Sequence, residues 1–231
     1  MTRPTSPTPT TVDAASTIGS THQPLRERVR DLIRDRIVRG DFAPGDRLVE
    51  RVLAEEMGVS RVPVREALNL LKGEGFVQDV PRRGVIVALL SREDVDDLFE
   101  VRVALDMQCA RLASERATDD EIDELGVIVH DADAALQCGD VARIADLNQA
   151  FHDAVPRMAH NPILAATLEP LEGRLHWVLR QNRSPEILLA EHRELVTALK
   201  DRDADAAADV ARRHVDTSRR LCHGILFGDD D

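Results

Sequence analysis

Apolar residues recur every three or four positions along most of the chain, and that period predicts helices. Leu25, Val29, Leu32, Ile33 and Ile37 mark one over 24–39, ended by Gly40 and a turn at Phe42–Gly45. A short helix from Val49 to Met57 follows, with Val52, Leu53 and Met57 on one face and Gly58 as its stop. A third begins at once: Ser60 is placed to cap it, and Pro63 fits the first turn, where no intrahelical N–H is needed. Val64, Ala67, Leu68 and Leu71 form its inward stripe, while Arg61, Arg65, Asn69 and Lys72 line another face. The period then changes. Phe76–Asp79 and Val85–Ala88 are strand-like, with Pro81-Arg82-Arg83-Gly84 as the tip of a β-hairpin.

From Ser91 to Phe227 the pattern predicts helices alone, over 92–116, 119–138, 140–159, 162–182, 185–201 and 204–226. Short polar breaks separate them at Ala117-Thr118, Gly139, Asn161-Pro162, Ser184-Pro185 and Asp201–Asp203, and Ser91 with Asp94 has capping-box spacing. The predicted class is mainly α: a winged helix-turn-helix of three helices plus a hairpin over 24–90, then an all-α antiparallel bundle over 91–227.

Composition adds a division of labour. The net charge is −12, but residues 1–90 carry 14 Lys and Arg against 12 Asp and Glu, whereas residues 91–231 carry 16 against 30. A mildly basic front fused to a strongly acidic back suits two domains with different partners. Residues 1–23, rich in Thr, Ser and Pro, lack the layout of a signal peptide and are expected to be a disordered leader. No apolar run approaches the ~18 residues of a membrane span. The expected setting is cytoplasmic, with no membrane partner. Cys109, Cys138 and Cys222 form no CxxC pair, and buried free thiols are expected.

A helix, a tight Gly turn, a helix with a basic exposed stripe and a basic hairpin together suit duplex DNA. The arginines reach phosphates or guanine edges in the major groove. Taken singly, the stripe reads equally as a solvated face. The stretch GVSRVPVREALNLLKGEGFVQDVPRRGVIV (Gly58–Val87) and its lead-in IVRGDFAPGDRLVE (Ile37–Glu50) closely resemble the GntR superfamily of bacterial repressors. The resemblance implies that Arg51, Arg61 and Arg65 contact operator DNA and that the tip near Arg82–Gly84 enters the minor groove. Ser60, at the start of the recognition helix, is counted with these DNA-binding residues. Val62 stands where many relatives have Thr, which removes one possible hydrogen bond to DNA.

In the back half, polar residues fall on core stripes. Arg102 interrupts the stripe of Val95, Leu98, Phe99, Leu105 and Cys109. Asn148 and His152 lie with Val141, Ile144 and Val155; His192 with Leu188, Leu195, Val196 and Leu199; His214 with Val210, Ala211, Leu221 and Ile225. A buried arginine needs an anion, either an acidic residue across the bundle or a bound carboxylate. Three inward imidazoles are either hydrogen-bonded core residues or ligands of a borderline divalent metal such as Zn²⁺ or Ni²⁺. His130, His160, His176 and His223 lie off the main stripes or near helix ends, and His22 lies in the leader. VRVALD (Val101–Asp106), NQAFHDAV (Asn148–Val155), EHRELVTALKDRDADAA (Glu191–Ala207) and RRHV (Arg212–Val215) make this half similar to the FCD effector domain of the FadR branch of that superfamily. The resemblance implies a metal (Zn²⁺, Ni²⁺ or Mn²⁺) held by Asn148, His152, His192 and His214, and a small organic acid effector held by Arg102. Asn148 stands where many metal-binding relatives have Asp, a stronger donor.

The expected protein is a homodimeric DNA-binding transcriptional regulator, a repressor, controlled by a carboxylate metabolite. A dedicated metal sensor is the alternative. An enzyme is not expected: the chain offers no nucleophile–base pair, Gly-rich phosphate loop or cofactor fingerprint.

Overall fold

The structure is a computed structural model. It describes residues 23–228 apart from 180, 181, 183 and 184, so the expected leader, His22 included, lies outside the described residues except for Gln23. The front half runs α1 (Leu25–Arg39), α2 (Glu50–Met57), α3 (Arg61–Gly73), β1 (Val77–Val80) and β2 (Gly84–Val87). Val29, Ile33 and Ile37 of α1 pack on Leu53, Val64, Leu68 and Leu71, burying one apolar face from each helix. Gly40 and Gly58 stop α1 and α2 with φ of 84° and 66°, where their N–H groups close onto the last helical carbonyls. Ser60 occupies the N-cap position of α3 but makes no side-chain cap hydrogen bond, contrary to the capping role expected of it.

The two strands pair antiparallel from Val77–Val87 to Val80–Gly84, one position away from the expected limits. At the tip, the Arg83 N–H bonds to the Val80 carbonyl at 3.0 Å. Pro81 stands second and Arg82, with φ 65°, third, as a type II turn requires. Residues 45–48 run along the outer edge of β2 through an isolated bridge, a pairing that sequence patterning missed. The Gly45 and Leu48 N–H groups bond to the Val87 and Val85 carbonyls, and an isolated bridge joins Arg47 to Ile86.

The rest of the described chain is helical: α4 (Arg92–Arg116), α5 (Asp119–Cys138), α6 (Val141–Met158), α7 (Pro162–Leu179), α8 (Pro185–Lys200) and α9 (Ala204–Phe227). Ser91 and Asp94 form the capping box that their spacing implies, and Thr118 with Glu121 forms a second. The main core gathers Leu112, Leu125, Phe151, Leu168, Leu195 and Leu199. A second cluster, Val95, Phe99, Leu175, Val178 and Cys222, joins α4, α7 and α9. Among the stripe residues, Val141 is 66 % exposed, because it begins α6 beyond the edge of the bundle. Cys109 and Cys222 are buried thiols, but Cys138, at the end of α5, is exposed. No helix among the described residues is long and apolar enough to cross a membrane.

The two halves touch through α7. Arg34 of α1 pairs with Glu169 at 2.7 Å. Gly173 lies so close to Phe76 that a Cβ there would stand 2.7 Å from the Phe76 Cζ.

Candidate metal centre and DNA-facing surface

Helix α3 buries Val64, Ala67, Leu68 and Leu71, which turns Arg61, Arg65 and Asn69 to solvent. Arg51, Ser60, Arg82 and Gly84 are exposed as well. Several cations of this face already hold carboxylates. Arg65 donates three hydrogen bonds to Glu50, at 2.9, 3.2 and 2.8 Å, and these hold the Glu50 carboxyl below its ordinary range. Arg51 pairs with Glu55 at 2.8 Å, and Lys72 pairs with Asp79. Both partners of the arginine pairs are solvated, so each pair is worth little and a phosphate can displace the carboxylate.

In the bundle, α6, α8 and α9 bring His152, His192 and His214 together. One nitrogen from each lies within 4.8 Å of the other two. The Nε2 atoms of His152 and His214 are 3.4 Å apart. Two nitrogens bound to one Zn²⁺ at ~2.0–2.1 Å and a tetrahedral angle stand roughly 3.3–3.4 Å apart, so this spacing fits a shared ion. The far nitrogens meet carboxylates. His214 Nδ1 lies 3.0 Å from Glu191, whose other oxygen accepts a 2.7 Å hydrogen bond from the Thr217 hydroxyl. His152 Nδ1 lies 3.4 Å from Glu172. A carboxylate on Nδ1 fixes the tautomer that leaves the Nε2 lone pair for a metal. His192 stacks on Phe151 with centroids 3.8 Å apart, and its buried Nε2 has no hydrogen-bond partner. Burial holds His152 and His192 well below the usual 6.5, so both are neutral at neutral pH, as ligands must be. These features fit a divalent ion.

Arg102 is 2 % exposed and sits beside this cluster. Its Nη2 is 3.0 Å from Asp106 and 3.6 Å from Glu172. Of the two partners open to it on sequence grounds, it has acidic residues of the bundle itself, Asp106 one helical turn along and Glu172 across on α7. Burial pushes Glu172 up to about 7 and outweighs the pull of the guanidinium. The void lined by Asp106, Glu172, Glu191 and the three histidines measures about 30 Å³, enough for an ion or a water, and it shares His152 and Glu172 with a neighbouring cleft of about 970 Å³ that is large enough for an organic acid. Asn148 does not line this void. It faces a neighbouring pocket of about 510 Å³ for which His192 and Phe151 form the shared wall. The reason is angular: at 100° per residue, positions 148 and 152 lie ~40° apart on α6, enough to open onto different spaces. His176 is 4 % exposed with its ring 6.3 Å from that of His152, which makes it a neighbour of the cluster. His130 is exposed and His223 half-buried.

Residues 25–87 match the model of the bacterial regulatory proteins of the gntR family, and residues 97–217 match the FCD domain. The chain belongs to the GntR family. This GntR-family regulator is 31 % identical over 183 residues to YdhC, an HTH-type transcriptional regulator of Bacillus subtilis strain 168, covering 77 % of the chain and 82 % of YdhC. It is 31 % identical over 179 residues to the Nta operon transcriptional regulator of Aminobacter aminovorans, covering 75 % and 83 %. With the HTH-type transcriptional repressor RspR of Escherichia coli K12 it shares 29 % over 197 residues, covering 84 % and 86 %. Escherichia coli McbR/YncC has the same fold, with a TM-score of 0.77 and 24 % identity over 87 % of this chain and 98 % of that one. A GntR regulator from Rhodococcus sp. RHA1 gives 0.70 and 24 % over 86 % and 97 %. The protein is thus a DNA-binding transcriptional regulator with an FCD domain, and its families are regulators, not enzymes.

Within the FCD segment, sequence reasoning passed over Asp106, Glu172, Glu191 and Thr217. Asp106 was within reach of it, since it lies at i+4 from Arg102, the spacing of a helical ion pair. Thr217 lies three residues after His214, on the same face. Glu172 carried no such signal, because its partners come from α4 and α6.

Proposed function

We propose that this regulator is a cytoplasmic homodimeric repressor whose operator affinity is set by a divalent metal and a small organic acid in the FCD domain. The observation that carries the reading is the convergence of three imidazole nitrogens within 4.8 Å, two of the rings backed by carboxylates on Nδ1. His152, His192 and His214 hold the ion, with Zn²⁺ the first candidate and Ni²⁺ or Mn²⁺ next. Asn148 supplies at most a neutral fourth donor from the neighbouring pocket. An acid reaching this site exchanges with Asp106 or Glu172 for the Arg102 fork, or completes the coordination of the metal. In the front half, Arg51, Ser60, Arg61, Arg65, Arg82 and Gly84 meet the operator. Two copies reading paired half-sites explain why a single small head suffices. RspR, a named repressor, favours repression.

The test is elemental analysis of purified protein together with operator gel shifts. We expect about one ion per chain, a lower content in His152→Ala, His192→Ala and His214→Ala, and a changed operator affinity after chelation. If wild type takes up no Zn²⁺, Ni²⁺ or Mn²⁺ on reloading, the three histidines are polar core residues. The small void favours a second reading, in which the metal alone is the signal. Operator affinity titrated against metal without any organic acid separates the two.

A further inference from the structure

Arg47 is a cation outside both α2 and α3, and the fold places it between the recognition helix and the hairpin tip. It stands on the segment along the outer edge of β2, where the Gly45 and Leu48 N–H groups bond to the Val87 and Val85 carbonyls and the Val87 N–H bonds to the Asp46 carbonyl. These bonds set its direction. Leu48 is 4 % exposed and packs in the core of the head, so the preceding side chain, Arg47, turns to solvent. Its guanidinium lies over the tip: a Cβ on Gly84 would stand 3.8 and 3.9 Å from the Arg47 Nε and Nη2. On the other side, Glu50 opens α2, accepts a 2.8 Å hydrogen bond from Arg65 of α3 and lies within electrostatic reach of Arg61. Carboxylates hold Arg51 and Arg65, whereas Arg47 makes no side-chain hydrogen bond or ion pair with another described residue. The adjacent Asp46 carboxylate is engaged by the Ala43 N–H at 2.8 Å.

We propose that Arg47 is a further DNA-contacting residue, which grips the sugar-phosphate strand between the groove that α3 enters and the groove that the hairpin tip enters. The proposal rests on that docking, with Arg61 and Arg65 in the major groove and Arg82–Gly84 in the adjoining minor groove. One sugar-phosphate strand divides a major groove from the next minor groove, so a side chain between the two contacting elements faces phosphates and not base edges. Such a contact positions the head and carries no sequence information of its own. Arg51 and Arg65 must release a carboxylate to take a phosphate, and Arg47 has none to release. Its backbone bonds to β2 also hold it in register with the tip, so the two meet the duplex as one unit.

The test uses the full chain and a duplex that it selects from a random pool of about 30 base pairs, room for two half-sites. Gel-shift affinities are measured across salt for wild type, Arg47→Gln and Arg61→Ala. We expect Arg47→Gln to lower the slope of log affinity against log salt by ~0.9 per bound chain, the share of one phosphate, which is about eightfold in affinity at ~0.1 M salt relative to ~1 M. Selection repeated with Arg47→Gln should return the same sequence, whereas Arg61→Ala should relax it. A neutral methylphosphonate at one phosphate between the two grooves should weaken wild type by about eightfold and leave Arg47→Gln unaffected. A wild-type slope in Arg47→Gln, a changed selected sequence, or a wild type indifferent to every methylphosphonate between the grooves overturns the proposal. The last of these needs no variant, so it decides even if Arg47→Gln fails to fold. Arg61→Ala keeps failure of the docking distinct: a loss of affinity there with none in Arg47→Gln overturns the role of Arg47 alone, and a loss in neither overturns both.

Discussion

Arg102 is a fully buried cation with two carboxylates for company, and the balance among the three decides how the bundle responds to change. Asp106 and Glu172 stand 3.0 and 3.6 Å away, and burial has already driven Glu172 to about 7. Arg102→Met removes the guanidinium that faces both, so two desolvated carboxyls are stranded. Breaking a buried pair costs about 3–5 kcal/mol, which in a chain of this size lowers Tm on the order of 10 °C. A melt shifted by less than ~2 °C sinks the ion-pair assignment. Glu172 also sets a pH dependence. Its carboxyl titrates near 4.5 when unfolded and about 7 when folded, so between those values the folded state holds the extra proton and stability falls as pH rises. Glu172→Gln keeps the protonated shape at every pH. Its Tm relative to wild type should therefore climb between pH 5 and 8, and a flat difference would mean that Glu172 titrates normally. Half of this was legible in the sequence: a cation on an apolar stripe demanded an anion. Asp106 at i+4 was within reach too, but Glu172 was not, because it comes from a helix whose register against α4 no local pattern encodes.

The helices and their ends were the readable part of the fold. Polar residues at Ser91 and Thr118 with acids three positions on specify two starts, and Gly40 and Gly58 specify two stops, because these effects act within one turn. The edge of residues 45–48 was missed since its partner is β2, far along the chain, and Asp46 and Arg47 give it no alternation. Stripe membership likewise overstated Asn148, which a periodicity of 3.6 cannot distinguish from His152. Helix α3 is the element whose function follows most directly from its pattern. With four apolar residues inward, Arg61 and Arg65 stand on the outer face and not in the core, which leaves them free for the operator contacts proposed above. Arg61→Ala and Arg65→Ala should each weaken operator binding by ~1–3 kcal/mol while leaving the melting curve within ~0.5 kcal/mol of wild type. Gel-shift titration at fixed salt measures this. Unchanged affinity in both variants removes α3 from the interface.

At the scale of the whole molecule, α7 is the element that belongs to both halves. One turn of it carries Glu169, paired with Arg34 of the DNA-binding head, Glu172, against His152 and Arg102, and Gly173, against Phe76. Phe76 is itself part of the core that seats α3, so packed atoms form a path from α7 to that helix. Tight interiors transmit such shifts because they cannot absorb them. Gly173 is the place to test this, since it touches neither operator nor histidines. A methyl group there would meet Phe76 Cζ at 2.7 Å, and one of the two halves must give way. Were the contact incidental, Gly173→Ala would simply stabilise α7 by about 1 kcal/mol through helix propensity. If α7 couples the halves, Gly173→Ala should change operator affinity at least ~5-fold, the lower end of typical allosteric coupling. Metal content should stay at the wild-type level, because the ligand side chains project elsewhere. Gel shifts and elemental analysis on the same preparation decide the matter. A Gly173→Ala protein that melts higher and binds operator as wild type does would show that α7 supports the head without instructing it.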